Sequence, residues 1–255
     1  MKDLSRYTII ALGFSLFIIL IILPISSLLR FAFEDGPGAF IRAVTDEDAI
    51  QAFSNSLFIA VLCTFVNLLV GTLLAFAITR YDFLGRTTLK ALIDLPIAIP
   101  TAVVGLSLMM LYGPNGLLGP LMEKNGIEIV MALPGVVLGH VFVTFPYMVR
   151  SVSVVLEMID RNLEDAARCL GANRIRTFIH VTLPCISSGI IAGSALTFTR
   201  SLGEFGATLF IAGGMIKTGP LFIYELSEAR FDLQAASSVS IVLMGRELTP
   251  PARSP

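Results

Sequence analysis

Apolar runs long enough to cross a bilayer recur along this chain with short polar stretches between them, and nothing else in the sequence constrains its fold so tightly. Residues 7–29 are interrupted only by small or hydroxyl side chains and Pro24. At about 1.5 Å per residue, a helix of that length crosses a hydrocarbon core of roughly 30 Å. Comparable runs lie at about 55–79, 89–112, 129–155 and 181–211, with a shorter one at about 229–244. A backbone in lipid must satisfy its own polar groups, and apolar runs of this length do so as helices. The sequence therefore predicts an all-α polytopic membrane protein with about six transmembrane helices, residues 1–255 forming a single transmembrane domain.

Composition supports this reading. Charged residues make up 15% of the chain and hydrophobic ones 55%, where soluble domains carry about 25% charged side chains, and mean hydropathy is +0.83. A net charge of -1 leaves no basic excess for a phosphate backbone, which disfavours nucleic acid as a partner. Three scattered cysteines, Cys63, Cys169 and Cys185, do not make a disulfide scaffold. Cys63 and Cys185 sit in or beside apolar runs, where a buried thiol packs as a small hydrophobe. The first run exceeds the apolar region of a cleaved signal peptide and no A-x-A-like site follows it, so it is expected to remain as a span.

Lysine and arginine collect in cytoplasmic loops. Lys2 and Arg6 precede the first run, Arg80, Arg86 and Lys90 lie at the turn from the second to the third, and Arg150, at the end of the fourth, is followed by Arg161, Arg168, Arg174 and Arg176 in the central insert. All fall on one side of a six-span topology, the opposite loops holding Arg42, Lys124, Lys217 and Arg230, so both termini are expected in the cytoplasm. The third run contains Pro96 and Pro100, and a helix kinked there would need neighbouring protein to satisfy its freed carbonyls. Residues 233–244 alone would reach only about 18 Å. The sixth span thus reads as truncated, with either an earlier start near Ala229 or a tail from Gly245 that is a change of reading frame or an engineered scar.

The insert at about 160–180 reads as two short helices. Asn162 is placed to cap the first, with Asp165 three residues on, and Gly171 supplies the left-handed residue that commonly ends one. Glu164, Ala167 and Arg168 share a face by i, i+3, i+4 spacing. Glu164-Asp165-Ala166-Ala167, then Gly171-Ala172, Phe178, Val181 and Leu183-Pro184, resemble the EAA loop of ABC-type importer permeases. The likeness extends from about Asn55 to Ser240 and includes the order of spans around the loop.

This resemblance implies a type I ABC importer fold in which the loop is a coupling helix seated in a groove of a cytoplasmic ATPase. By the same resemblance Glu164 would make polar contacts to the ATPase and Gly171 would provide the turn. Ala166, Ala167 and Ala172 would permit close docking, with Phe178, Leu183 and Pro184 completing the motif. Asp165 stands at the motif's first alanine and adds a charge. Further implied are a second permease copy in a homodimer, two ATPase copies that bind the ATP and Mg, and an extracytoplasmic oxyanion-binding protein. The last would dock on loops 33–54, 113–128 and 213–232. The permease would sit in the cell membrane and hold no cofactor of its own.

The fifth run carries Arg200 and Glu204 one helical turn apart, and charges at membrane depth are functional candidates by default. A straight helix rising from Pro184 would place Arg200 about 24 Å and Glu204 about 30 Å along it, in the outer half. The plain reading is an i, i+4 ion pair that satisfies itself. Gly203 and Gly206 flank Phe205 and thin the helix at the same level, so residues 200–206 are expected to lie by an outer gate. The run from Ser201 to Thr208 is similar to the molybdate branch of the importer family, including archaeal molybdate/tungstate permeases. Residues 94–100 and 223–225 fit the same branch. The expected cargo is molybdate or tungstate, with sulfate or thiosulfate as the alternative.

No G-x-x-x-x-G-K-[ST] motif occurs, so ATP hydrolysis is expected from a partner. Two other classes compete. An intramembrane enzyme would need Ser107 and His140 to meet, and an ion-coupled secondary transporter would use a buried carboxylate such as Asp94. No catalytic or metal-binding residue is assigned.

Overall fold

A computed structural model describes residues 2–248, with side chains over 7–245. Among these residues all regular structure is helical. The first span runs from α1 (Lys2–Phe17) through a π turn at Ile18–Ile22 into α2 (Leu23–Ala32). The widened turn lies just before Pro24, whose ring cannot donate a backbone hydrogen bond and crowds the preceding turn. Then come α3 (Pro37–Thr45), α4 (Glu47–Arg80), α5 (Arg86–Ala98), α6 (Thr101–Tyr112), α7 (Gly119–Lys124) and α8 (Leu133–Met158). The insert holds α9 (Asn162–Cys169) and α10 (Arg174–Thr177), and a π turn at Phe178–Thr182 leads into α11 (Leu183–Cys185) and α12 (Ser187–Leu202). The chain continues through α13 (Gly206–Ile211), α14 (Gly219–Tyr224), a π turn at Glu225–Ala229 and α15 (Leu233–Leu248).

Three helical stretches are individually long and apolar enough to span: Tyr7–Ala32, Glu47–Arg80 and Leu133–Met158. The third and fifth spans are bent pairs. α5 and α6 meet at 109°, and the pair Arg174–Cys185 and Ser187–Leu202 meets at 68°. The third span is thus broken rather than kinked. Pro96 is accommodated inside α5, whereas Pro100 forces Ile99 into an extended conformation (ψ 131) and ends the helix. The fifth run is not one helix over 181–211, so its rise from Pro184 is no measure of the depth of Arg200 or Glu204. The sixth run begins at Leu233 rather than Ala229, and the tail beyond Leu248 lies outside the described residues.

The chain divides into two compact units, one of residues up to Phe53 with those from Gly219 on, the other Ser54–Thr218. In the first, Ala49, Phe53, Phe222, Ala236 and Val239 form the core. Asp232 caps α15 by accepting from the Ala235 amide at 2.9 Å, and Gln234 Nε2 donates to the orphan Ala32 carbonyl at the end of α2, also at 2.9 Å. Arg230 bonds Glu225 at 2.7 Å and Asp48 at 3.0 Å. These bonds, Glu225 first, hold the Arg230 pKa above the ordinary value. A cleft of about 480 Å³ opens beside it, lined by Asp35, Arg42, Asp46 and Asp232 among others.

In the second unit one core cluster is Ala75, Ile78, Ile93, Met148, Val149, Val152, Leu156 and Ile186, and others form around Ile59 and Val136 and around Val104 and Val143. α8 and α12 approach through glycine. A Cβ on Gly193 would lie 2.8 Å from Met148 Sδ, and one on Gly189 2.9 Å from the Ser151 carbonyl. α6 and α13 are closer still, for a Cβ on Gly105 would meet the Ala207 carbonyl at 2.4 Å, and one on Gly206 would meet Thr101 Oγ1 at 2.4 Å.

Candidate functional site

The charged insert is fastened to the end of α4. A helix C-terminus leaves carbonyls without intrahelical donors, and arginines supply them here. Arg86 Nε donates to Ile78 O at 2.7 Å and Arg161 Nη2 to Thr79 O at 3.0 Å. Arg80, the last residue of α4, donates from Nε to Glu164 Oε1 at 2.9 Å, and Thr182 Oγ1 donates to the same oxygen at 3.2 Å. Glu164 is 5% exposed. The polar contact expected of it with an ATPase is therefore made inside this chain, where the carboxylate ties α9 to α4 and to the base of the fifth span.

Local geometry explains the turn. The Gly171 amide donates to Arg168 O at 2.9 Å and the Ala172 amide to Ala167 O at 3.1 Å, the paired bonds of a Schellman ending, with Gly171 at φ 89. Asn162 does not cap α9. Asp160 takes that part, its carboxylate accepting from the Asn162 backbone amide at 3.0 Å and side-chain amide at 3.1 Å. Asn173, which sequence reasoning did not single out, caps α10 by accepting from the Arg176 amide at 2.9 Å.

α9 is amphipathic in the inverted sense. Its one buried side chain is the charged Glu164, while Leu163 and, just past its end, Leu170 face outward, Leu170 at 90% exposure. Ile175 is also exposed, at 70%. Asp165, Ala166 and Gly171 lie on the exposed surface, with Ala167 and Ala172 partly covered. Phe178 is instead an internal anchor, stacked edge-on against Phe76 at 5.0 Å, and Leu183 packs on the core of the unit. Pro184 is exposed at the start of α11. Leu170 and Ile175 could have been found from sequence as large apolar side chains in an otherwise charged, small-residue insert.

The second candidate lies where the fifth span breaks between Leu202 and Gly206. Arg200 Nη1 and Glu204 Oε2 are 2.7 Å apart, the expected ion pair, with the glutamate side chain fully buried. Glu204 Oε1 also accepts from the Ala207 amide at 2.9 Å and so caps α13. Gly206 is the point of close approach to Thr101, and Phe205 is half-buried. Gly203 is exposed.

The competing arrangements do not form. Ser107 Oγ donates to its own helix at Val103 O, and the His140 ring bonds Ser201 and Thr208 instead. Asp94 is partly exposed and paired with Arg150 at 2.7 Å. Cys63 is buried, as expected, but Cys185 is exposed beside the bend.

Residues 67–245 match the model of the binding-protein-dependent transport system inner membrane component family. The chain is 38% identical over 245 residues to the sulfate transport system permease protein CysT of Salmonella typhimurium, covering 94% of this chain and 88% of that protein. It is 40% identical over 227 residues to the sulfate transport system permease protein CysW of Synechococcus elongatus, covering 88% and 79%. Its fold is similar to a chain in the crystal structure of a bacterial alginate ABC transporter in complex with an alginate pentasaccharide-bound periplasmic protein. The TM-score is 0.82 at 19% identity, over 97% of this chain and 91% of that one. The chain belongs to the binding-protein-dependent inner membrane component family, and is a multi-pass, non-catalytic permease subunit of an ABC importer whose ATP is hydrolysed by a separate subunit.

Proposed function

We propose that the chain forms the translocation pathway of an ATP-driven importer for sulfate or a sulfate-like dianion such as thiosulfate. The observation that carries the cargo is the 38% identity over 94% of the chain with a sulfate permease. It outweighs the molybdate-like run from Ser201 to Thr208, because tetrahedral dianions share charge and shape and a short run near a break separates them poorly. α9 is the seat of the ATPase. Its inverted amphipathy supports that role, since apolar side chains held outward on a rigidly tied helix need a partner groove.

In this reading two permease copies form the pathway and each seats one ATPase, with both termini in the cytoplasm. Closure of the ATPase pair on ATP draws the two α9 loops together. Because Glu164 locks α9 to Arg80 and Thr182, that movement enters α4 and the base of the fifth span as a rigid push. The Arg200–Glu204 pair lies beside the pathway, its charge internally balanced so that a passing dianion is not held. A binding protein outside the membrane selects the oxyanion.

The test is reconstitution of the permease with its ATPase and binding protein in proteoliposomes, following labelled sulfate with thiosulfate, molybdate and tungstate as competitors. ATP-dependent sulfate uptake blocked by thiosulfate is expected. Uptake of labelled molybdate without sulfate uptake would overturn the cargo, and uptake without the ATPase would overturn the coupling.

A further inference from the structure

We propose that His140 is a positioning residue for transport, pinning the helices on both sides of the break at residues 203–205 to α8 so that movement entering α12 is passed on to α13. The ring bridges the break. Nδ1 lies 2.8 Å from Ser201 Oγ, in the last turn of α12, and Nε2 lies 2.8 Å from Thr208 Oγ1, in the first turn of α13. The side chain is 1% exposed. A neutral imidazole has one donor and one acceptor nitrogen, and a hydroxyl can serve as either partner, so both bonds form in either tautomer.

The residue is held in turn from α4. Thr144 Oγ1 donates to the His140 carbonyl at 2.7 Å, and Asn67 Nδ2 donates to Thr144 Oγ1 at 2.8 Å, with Cys63 Sγ 3.1 Å from the same oxygen. These polar groups are fully buried, where an unmade hydrogen bond is costly. The bonds run without a gap from Asn67 Nδ2 through Thr144 to the His140 carbonyl, and Asn67 Oδ1 at the α4 end is left without a partner; a buried polar network fixes its arrangement to the extent that it is satisfied. The break needs such a pin, since α12 stops at Leu202 and Gly203 lies exposed after it. α12 follows, through α11 and the 68° bend at Ile186, from the π turn that carries Thr182, the residue bonded to Glu164 of the α9 loop. The route from loop to gate therefore passes through the Ser201–His140–Thr208 bridge. This inference rests on the reading of α9 as the ATPase seat.

The test compares Ser201→Ala, Thr208→Val, His140→Gln and His140→Leu in the complete reconstituted complex, measuring sulfate moved per ATP hydrolysed. His140→Leu is expected to lower that ratio several-fold while ATP hydrolysis continues. The single-hydroxyl variants should lower it less, and His140→Gln, whose amide keeps a donor and an acceptor, should recover most of it. An unchanged ratio in every variant, or transport and ATPase falling together with thermal stability, would overturn the inference.

A second measurement is independent of the cargo. Spin labels at Leu196 and Leu209, with Cys169 and Cys185 replaced by serine, report the distance between α12 and α13 with and without ATP. A distance that holds on adding ATP while His140 is present but changes in His140→Leu supports the pin. The same response to ATP in both proteins, or an ATP-driven shift in the unsubstituted His140 protein, overturns it. If the distance behaves as expected but no sulfate moves, the cargo reading alone fails.

Discussion

Arg80 and Glu164 form an ion pair at 2.9 Å with side chains only 7% and 6% exposed, so the end of the second span and the first turn of α9 move as one body. Breaking a buried pair by removing one partner strands the other charge and costs about 3 kcal/mol or more. Arg80→Met should lower the thermal midpoint of the purified permease and the yield of ATPase that co-purifies with it. Glu164→Gln in the same chain should restore part of the midpoint, because the stranded charge is gone. A double variant no more stable than Arg80→Met would show that the pair is not coupled.

Gly171 stands at φ 89 with nothing within 4 Å of the Cβ it lacks, so the cost of replacing it is purely conformational. Gly171→Ala should destabilise the α9 turn by about 1 kcal/mol, and Gly171→Asn by less, since asparagine tolerates the left-handed region. Amide hydrogen exchange over residues 166–172 measures it, with faster exchange expected in the alanine variant. Gly171→Pro should abolish the ending altogether, because proline cannot adopt positive φ.

Leu170 and Phe178 separate docking from folding. Leu170→Ser removes a side chain 90% exposed, and should leave the thermal midpoint unchanged while reducing ATPase pull-down from detergent extracts. Phe178→Ala removes an edge-on partner of Phe76, worth about 1 kcal/mol beyond area, and should lower the midpoint first. The reverse pattern would mean that the outward face of α9 is not the seat.

Gly105 admits no side chain, the nearest obstacle being the Ala207 backbone carbonyl at 2.4 Å. Gly105→Ala should cost about 1–3 kcal/mol by overpacking, and Gly139→Ala, which meets its nearest neighbour at an ordinary 3.5 Å, much less. Chemical denaturation of the two variants side by side provides the comparison.

Glu204→Gln removes the charge facing Arg200 but keeps an oxygen for the Ala207 amide that Glu204 now holds at 2.9 Å. The fold should survive. An uncompensated guanidinium would retain the dianion longer, so a several-fold lower turnover with a lower half-saturating concentration of loaded binding protein is expected. Unchanged transport and unchanged substrate-stimulated ATPase activity would remove residues 200–206 from the gate.

The apolar helices and the two-helix insert with its glycine turn were legible because both are written in local pattern: apolar runs of fixed length, and Glu-x-Ala-Ala followed by Gly at residues 164–171. What local pattern missed was decided by partners distant in sequence. Whether Pro96 or Pro100 breaks the third span depends on which carbonyls the bundle can satisfy, and only Pro100 stops a helix. Glu164 resembled a free docking contact until Arg80, 84 positions away, was brought against it. Asp160 displaced Asn162 as the cap because Asn162 is already the first helical residue, one position too late for its own oxygen to serve. The likeness of residues 201–208 to a molybdate permease concerns a break held by His140, a feature of shape that says little about which dianion passes.

Leu163, Leu170 and Ile175 are uncovered on the subunit alone. A permease inserted faster than its ATPase is made carries uncovered greasy knobs, the kind of surface on which misassembly and proteolytic triage act. If the inverted face of α9 is the ATPase seat proposed above, it sets a rule for synthesis: the chain is safest when that partner is already waiting.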